Sequence, residues 1–213
     1  MAELFDQLEF VEDPLYETII NDLLQQHYSV IDNFFSEEEI VLLRASLLDK
    51  YHEDCFKRAA IGNKFDEQIL DQIRGDFVFW IDEGSTSKAA QLFFKKINAM
   101  VSYLNKTCFL GIFHKEFHYA VYPKGTFYKR HLDTFQNDDR RKLSLVCYLN
   151  DSNWKSENGG ELVIYPNDVT AEPIVIQPLP GRVVIFESQI LEHEVKRVLA
   201  TERYSITGWL KTR

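Results

Sequence analysis

Cysteine is scarce in this sequence: Cys55, Cys108 and Cys147 are odd in number, scattered, and in no CxxC arrangement. That leaves no disulfide framework and no cysteine-held zinc to expect, and it points to a reducing compartment. Basic charge is short as well, with 24 Lys and Arg against 33 Asp and Glu and a net charge of −9. A phosphate backbone is bound by a basic stripe, so nucleic acid is a disfavoured partner. No apolar run approaches the roughly 20 residues of a membrane span, and the opening "MAELFDQLEF" lacks the basic-then-apolar order of a signal peptide. The expectation is a cytoplasmic protein without a membrane partner. Glycine and proline are few (9 and 6), and there is no Pro/Gly/Ser-rich linker, repeat or low-complexity tract. One domain over 1–213 is therefore expected. What is abundant is phenylalanine, 16 residues, enough for a substantial core.

The two halves carry different periods. "PLYETIINDLLQQHY" places Leu15, Ile19, Ile20, Leu23 and Leu24 at the spacing of one helix face. "SEEEIVLLRASLLDKYHE" opens on Ser36 and Glu39, a capping-box pair, with three acids where the helix dipole favours them. A third helix is expected over "STSKAAQLFFKKINAMVSYLNK", where Ala89, Phe93, Ile97, Met100 and Leu104 recur every three or four residues. "RGDFVFWID" between the last two reads as a short strand. From about residue 108 the pattern becomes strands: "IFHKEFHYAVY", "TFYKRHLDTF", "KLSLVCYLN", "GELVIY", "PIVIQ", "RVVIFES", "HEVKRV" and "RYSITGWLK". Turn signals at Pro123–Gly125, Asn150–Asn153, Asn158–Gly160 and Pro180–Gly181 separate several of them. Helical support over about 1–107 and a β core over about 108–213 suggest a sandwich or barrel buttressed by helices.

In "YKRHLDTF", His131 and Asp133 are two positions apart, and alternate strand residues share a face. With His193, sixty residues beyond Asp133 in "ILEHEVKRV", they have the makings of a 2-His-1-carboxylate triad, which holds iron(II) and leaves positions open. A bare HxD also arises by chance on a solvated strand face. "HKEFH" offers a second alternating trio, His114, Glu116 and His118; an outward polar face looks the same, and His118 suits a pocket wall better. His27 and His52 fall in helical surface patterns. In "RYSITGWLK", Arg203, Ser205, Thr207 and Trp209 share one face and Tyr204, Ile206 and Leu210 the other. The polar face is either solvated or lines a cavity where Arg203 forms a bidentate pair with a dicarboxylate.

The order HxD, distant His, then Arg ten residues on resembles the 2-oxoglutarate and iron(II)-dependent oxygenases. More narrowly, it resembles prolyl hydroxylases of the hypoxia-inducible-factor type and their bacterial relatives. "RGDFVFWID", "YPKGTFYKRHLD", "YLNDSNW", "NGGELVIYP" and "HEVKRVLATERYSITGWL" carry the resemblance, over roughly 74–213. It implies a double-stranded β-helix (jelly-roll) core, mainly β with N-terminal α. It implies iron(II) on His131, Asp133 and His193, with 2-oxoglutarate and O2 as cosubstrates and ascorbate as a reductant. Arg203 and Tyr148 match the positions that hold the far carboxylate of 2-oxoglutarate. Tyr122, Leu162, Thr207 and Trp209 match others around it; His118, on the strand face that continues to Ala120 and Tyr122, is expected at the pocket wall or just behind it. For Tyr148, Leu162 and Trp209, strand-interior packing explains the residue type equally well. Arg141 matches a substrate-proximal arginine, although "NDDRRK" also reads as a solvated loop. The implied reaction hydroxylates a prolyl residue of a protein, giving succinate and CO2; elongation factor Tu is the implied partner of bacterial relatives. Segments from Cys55 to Arg74 and "DTFQNDDRRK" are placed to clasp that substrate. Departures from the animal enzymes are a short "YPKG" turn, no N-terminal zinc-binding module, and a chain ending close to the Arg203 strand, the last of which fits the compact bacterial branch. The rival readings are an oxygenase for lysyl residues, small molecules or alkylated nucleic acid, and a jelly-roll binding protein without turnover.

Overall fold

The computed structural model describes residues 11–59, 72–134, 140–168 and 170–212. The expected helices are α1 (Pro14–Gln26), α2 (Glu37–His52) and α3 (Lys88–Cys108). Helix α1 starts on Asp13, whose carboxylate accepts from the Leu15 N–H, and stops at His27 in the left-handed conformation. Helix α2 carries the anticipated capping box, with both Ser36–Glu39 bonds formed. On α1 only Ile19 and Leu23 are buried; Leu15 and Leu24 are exposed, because the helix meets the core along a narrower stripe than the five apolar positions span.

Between the helices lie three short strands: β1 (Tyr28–Ile31), β2 (Lys57–Arg58) and β3 (Phe77–Ile81). The second half supplies β4 (His114–Tyr122), β5 (Tyr128–His131), β6 (Arg141–Tyr148), β7 (Leu162–Tyr165), β8 (Ile174–Ile176), β9 (Val183–Glu187), β10 (Glu192–Val195) and β11 (Arg203–Lys211). They form two antiparallel sheets. The larger runs β1-β9-β6-β11-β4-β3-β2 and the smaller β5-β10-β7-β8. This mainly β, antiparallel arrangement with three helices is a jelly roll. Strands β1 to β3 lie in the mostly helical half yet complete the larger sheet.

The helices cover one face of the larger sheet and the smaller sheet covers the other. Strand alternation then sorts residues onto the two faces of the larger sheet. Leu143, Leu145 and Cys147 of β6 and Val183 and Ile185 of β9 join Leu43, Phe93, Ile97 and Leu104 beneath the helices. Val146, Tyr148, Val184 and Phe186, on the opposite face of the same strands, pack with Leu162 and Ile164 between the sheets. The same logic decides β11. Tyr204, Ile206 and Leu210 face the helices, so Arg203, Ser205, Thr207 and Trp209 point between the sheets and not into water. Arg203 is 1% exposed, which removes the solvated-face alternative.

Candidate metal and cosubstrate site

The two histidines meet by strand pairing: His193 on β10 is the direct cross-strand partner of His131 on β5. Asp133 sits two residues beyond the end of β5, in a bend, so the shared face expected of a continuous strand is not what brings it in. The chain turns just after His131 and points the carboxylate back at both rings. Oδ1 lies 3.5 Å from His131 Nε2 and Oδ2 lies 3.6 Å from His193 Nε2. All three side chains offer ligand atoms within 4.8 Å of one another, the one such His/Cys/Asp/Glu group among the described residues. The trio His114, Glu116 and His118 forms no second group; Glu116 accepts from Lys211 Nζ at 2.8 Å.

Each imidazole is set by its far nitrogen. His131 Nδ1 donates to the Lys129 carbonyl at 2.7 Å and His193 Nδ1 to that of Leu191 at 3.4 Å. A carbonyl only accepts, so both Nε2 lone pairs are left for a cation. Tyr128 stacks on His131 with ring centroids 3.7 Å apart at 17°, and Phe186 meets His193 edge-on at 4.6 Å. Residues three apart on a regular strand face opposite ways. Tyr128 shares the face of His131 because the β5–β10 register slips between the His193↔His131 and Val195↔Tyr128 pairs.

Burial favours a protonated Asp133, but the His193 and His131 rings and the Ser144 hydroxyl outweigh it and hold the carboxyl well below the usual range. Burial pushes His193 down to about 4, keeping it neutral. A carboxylate and two imidazoles gathered in a buried pocket are the donors a divalent cation requires.

Arg203 lies further along the same cavity, which His118, Tyr122, Leu162, Thr207 and Trp209 also line. Its Nε donates to the Gly160 carbonyl at 2.8 Å and Nη1 to Ser205 Oγ at 3.3 Å. A guanidinium has five N–H donors, so capacity remains for a ligand. The guanidinium carbon sits 4.9 Å from the Tyr122 ring centroid and 5.0 Å from that of Tyr148. Gly160 is required twice over: its φ is +73°, and a Cβ there would meet Arg203 Cδ at 2.9 Å.

Two buried polar atoms of the cavity lining, His118 Nδ1 and Trp209 Nε1, lack hydrogen-bond partners among the described residues, as does Tyr148 Oη beside Arg203. Such atoms are costly unless a ligand or water completes them. An orphaned tyrosine hydroxyl beside a buried guanidinium suits a carboxylate, so the residues present fit a metal-bound dicarboxylate such as 2-oxoglutarate.

Arg141 is not a free loop residue. Its Nη1 donates to the Asp133 carbonyl at 3.0 Å, and its guanidinium carbon lies 3.6 Å from the centroid of a Trp209 ring. Residues 60–71 and 135–139, which contain most of the expected substrate segments, lie outside the described residues. Sequence reasoning missed Ser144, Ser188, Tyr128, and the buried pair Arg74–Asp76, whose Arg74 stacks on Tyr128 at 4.3 Å. The available signal was a lone polar residue inside an apolar strand, as Ser144 is in "KLSLVCYLN".

Comparison with known proteins agrees with this geometry. Residues 117–211 match the 2OG-Fe(II) oxygenase superfamily model. A solved prolyl-4-hydroxylase from Pseudomonas putida is 32% identical, with a TM-score of 0.83 over 93% of this chain and 99% of that one. A prolyl hydroxylase from Trichoplax adhaerens, solved with a hypoxia-inducible-factor oxygen-degradation-domain peptide, is 29% identical, with a TM-score of 0.82 over 92% and 89%. The Caenorhabditis elegans hypoxia-inducible factor prolyl hydroxylase is 28% identical over 203 residues, 91% of this chain but 28% of its own length, so this chain spans about a quarter of that protein. The chain belongs to the 2-oxoglutarate- and iron(II)-dependent oxygenases, as an enzyme of their prolyl-hydroxylase-like branch. Enzymes of this class use iron(II), 2-oxoglutarate and O2. Among the described residues no helix is long and apolar enough to cross a membrane.

Proposed function

We propose that the chain is one oxygenase unit that hydroxylates a prolyl residue of a protein. His131, Asp133 and His193 hold iron(II), while Arg203 and Tyr148 hold the far carboxylate of 2-oxoglutarate. The observation that carries this reading is a single cavity lined by the His/Asp/His group at one place and by Arg203 at another, with the buried Tyr148 packed against the guanidinium. Iron(II) with 2-oxoglutarate supplies oxygen activation: 2-oxoglutarate, O2 and a C–H bond become succinate, CO2 and a C–OH bond. The protein's part is orientation and exclusion of water. His131 and His193 present lone pairs fixed by their Nδ1 bonds. Arg203 and Tyr148 set the direction of the cosubstrate, with Tyr122, Leu162 and Thr207 shaping the cavity around it. Burial keeps His118 neutral, so it adds no charge to the wall. Trp209, with Arg141 over its ring, offers a flat surface beside the entrance for the substrate.

The prolyl substrate rests on the relatives, above all the 32% identity to the Pseudomonas enzyme. If the chain is bacterial, elongation factor Tu is the candidate to test first, on the resemblance to bacterial relatives. All three cysteines are free, which supports a reducing, cytoplasmic setting. The deciding experiment is incubation with cell lysate, iron(II), 2-oxoglutarate, ascorbate and heavy oxygen, followed by peptide mass mapping. One labelled oxygen on a proline is expected. Label on lysine, a small molecule or nucleic acid would replace the prolyl assignment, and an absence of 2-oxoglutarate-dependent label would favour a binding protein.

A further inference from the structure

We propose that Ser144 and Ser188 form a buried hydroxyl relay that selects which oxygen of Asp133 takes the cation. This rests on the reading of His131, Asp133 and His193 as the metal-binding group. Ser144 is 1% exposed on β6, and Ser188 is 0% exposed just past β9. Ser144 continues the alternation of Val146 and Tyr148 and Ser188 that of Val184 and Phe186, the apolar residues packed between the sheets. Nothing in apolar packing calls for a hydroxyl there, and a buried hydroxyl is costly unless it is hydrogen-bonded.

The bonds explain both residues. Ser144 Oγ lies 2.7 Å from Asp133 Oδ2 and 2.8 Å from Ser188 Oγ. A carboxylate has no proton to give, so the one hydrogen of Ser144 points at Oδ2. Ser144 then has only lone pairs left for Ser188, and the Ser188 hydroxyl must donate to it. The chain therefore runs one way, from Ser188 to Ser144 to Asp133. Each link polarises the next, and the charge-assisted bond at the end is the strongest.

Both carboxylate oxygens are within reach of a cation shared by the two Nε2 atoms, Oδ1 lying beside His131 and Oδ2 beside His193. The relay breaks this symmetry. Oδ2 already accepts a short hydroxyl bond, whereas Oδ1 takes no hydroxyl among the described residues. Asp133 is thereby set to bind through Oδ1 alone, with its carbonyl pinned by Arg141 at 3.0 Å. Single-oxygen binding keeps more of the coordination sphere open for the cosubstrate and oxygen than a carboxylate that swings to use both. Ser144 and Ser188 are on this view positioning residues, acting through Asp133.

The test uses the full chain and Co(II) alone, reading affinity by calorimetry and coordination by visible absorption. Ser144→Ala should weaken Co(II) roughly 10–100-fold and shift its absorption bands, while Ser144→Thr restores both. Ser188→Ala should give a smaller loss of affinity in the same direction. A Ser144→Ala protein with wild-type affinity and spectrum would overturn the relay. Should Ser144→Ala fail to fold, Ser188→Ala decides: a several-fold loss supports the relay, and wild-type affinity overturns it. Wild-type protein that binds no Co(II), or His131→Ala that binds it as wild type does, would overturn the metal assignment underneath, a result separate from the first.

Discussion

Arg203 and Tyr148 lie side by side on neighbouring strands, the guanidinium carbon 5.0 Å from the tyrosine ring centroid, and the buried tyrosine hydroxyl has no hydrogen-bond partner among the described residues. An unpaired buried hydroxyl costs about 1–3 kcal/mol, so Tyr148 is better suited to the liganded protein than to the empty one. Tyr148→Phe should leave the melting temperature of the ligand-free protein unchanged or raise it. The same change should weaken 2-oxoglutarate several-fold, and calorimetry would check both. Reduced stability together with unchanged affinity would assign Tyr148 to packing alone.

Arg203→Ala removes a charge-assisted pair, worth about 1.5–3 kcal/mol or roughly 10–150-fold in affinity. The 2-oxoglutarate requirement should rise by that factor. Lysine should not restore it, because the planar fork that also reaches the Gly160 carbonyl is lost. An unchanged requirement would move the cosubstrate elsewhere.

His118 links stability to pH. Burial pushes it down to about 4, with Arg74 and Arg141 adding to the shift and Asp76 and Asp133 opposing it. Its folded value lies below the ordinary one of 6.5. Between these two values the unfolded chain binds a proton that the folded chain refuses, so stability rises with pH. The contribution, about 3 kcal/mol at most, is complete above pH 6.5 and lost as pH falls toward 4. His193, also pushed down to about 4, acts in the same direction. The measurement is therefore a difference: His118→Gln should flatten the metal-free melting curve between pH 4 and 6.5 relative to wild type. Parallel curves would contradict the assignment.

Arg141 bridges the Asp133 carbonyl and the Trp209 ring. Arg141→Ala should raise the KM for a prolyl peptide more than that for 2-oxoglutarate, since it removes the guanidinium over Trp209 and frees the Asp133 carbonyl. A change confined to 2-oxoglutarate would rule out a substrate role.

Much of this was legible because alternation is a local signal. β11 could be read residue by residue: Ile206 and Leu210 lie under the helices, Arg203 and Thr207 in the cavity. The capping box at Ser36 was equally plain, since it needs only residues three apart. Strand β1 was not, because "YSVI" is four residues abutting a helix and is a strand only through pairing such as Val30↔Val184. The bend that returns Asp133 and the register slip that stacks Tyr128 on His131 are tertiary effects without a period to read. Ser144, Ser188, Arg74 and Asp76 gain their meaning from partners, most of which lie far along the chain or across a sheet.

The central claim is that two halves of one site, a His/Asp/His group and a buried arginine, serve one metal and one dicarboxylate. Anaerobic calorimetry of iron(II), followed by 2-oxoglutarate, tests it most directly on wild type, Asp133→Ala and Arg203→Ala. One iron per wild-type chain is expected, with 2-oxoglutarate binding that weakens sharply when either the metal or Arg203 is removed. Binding of 2-oxoglutarate that is indifferent to both would contradict the account.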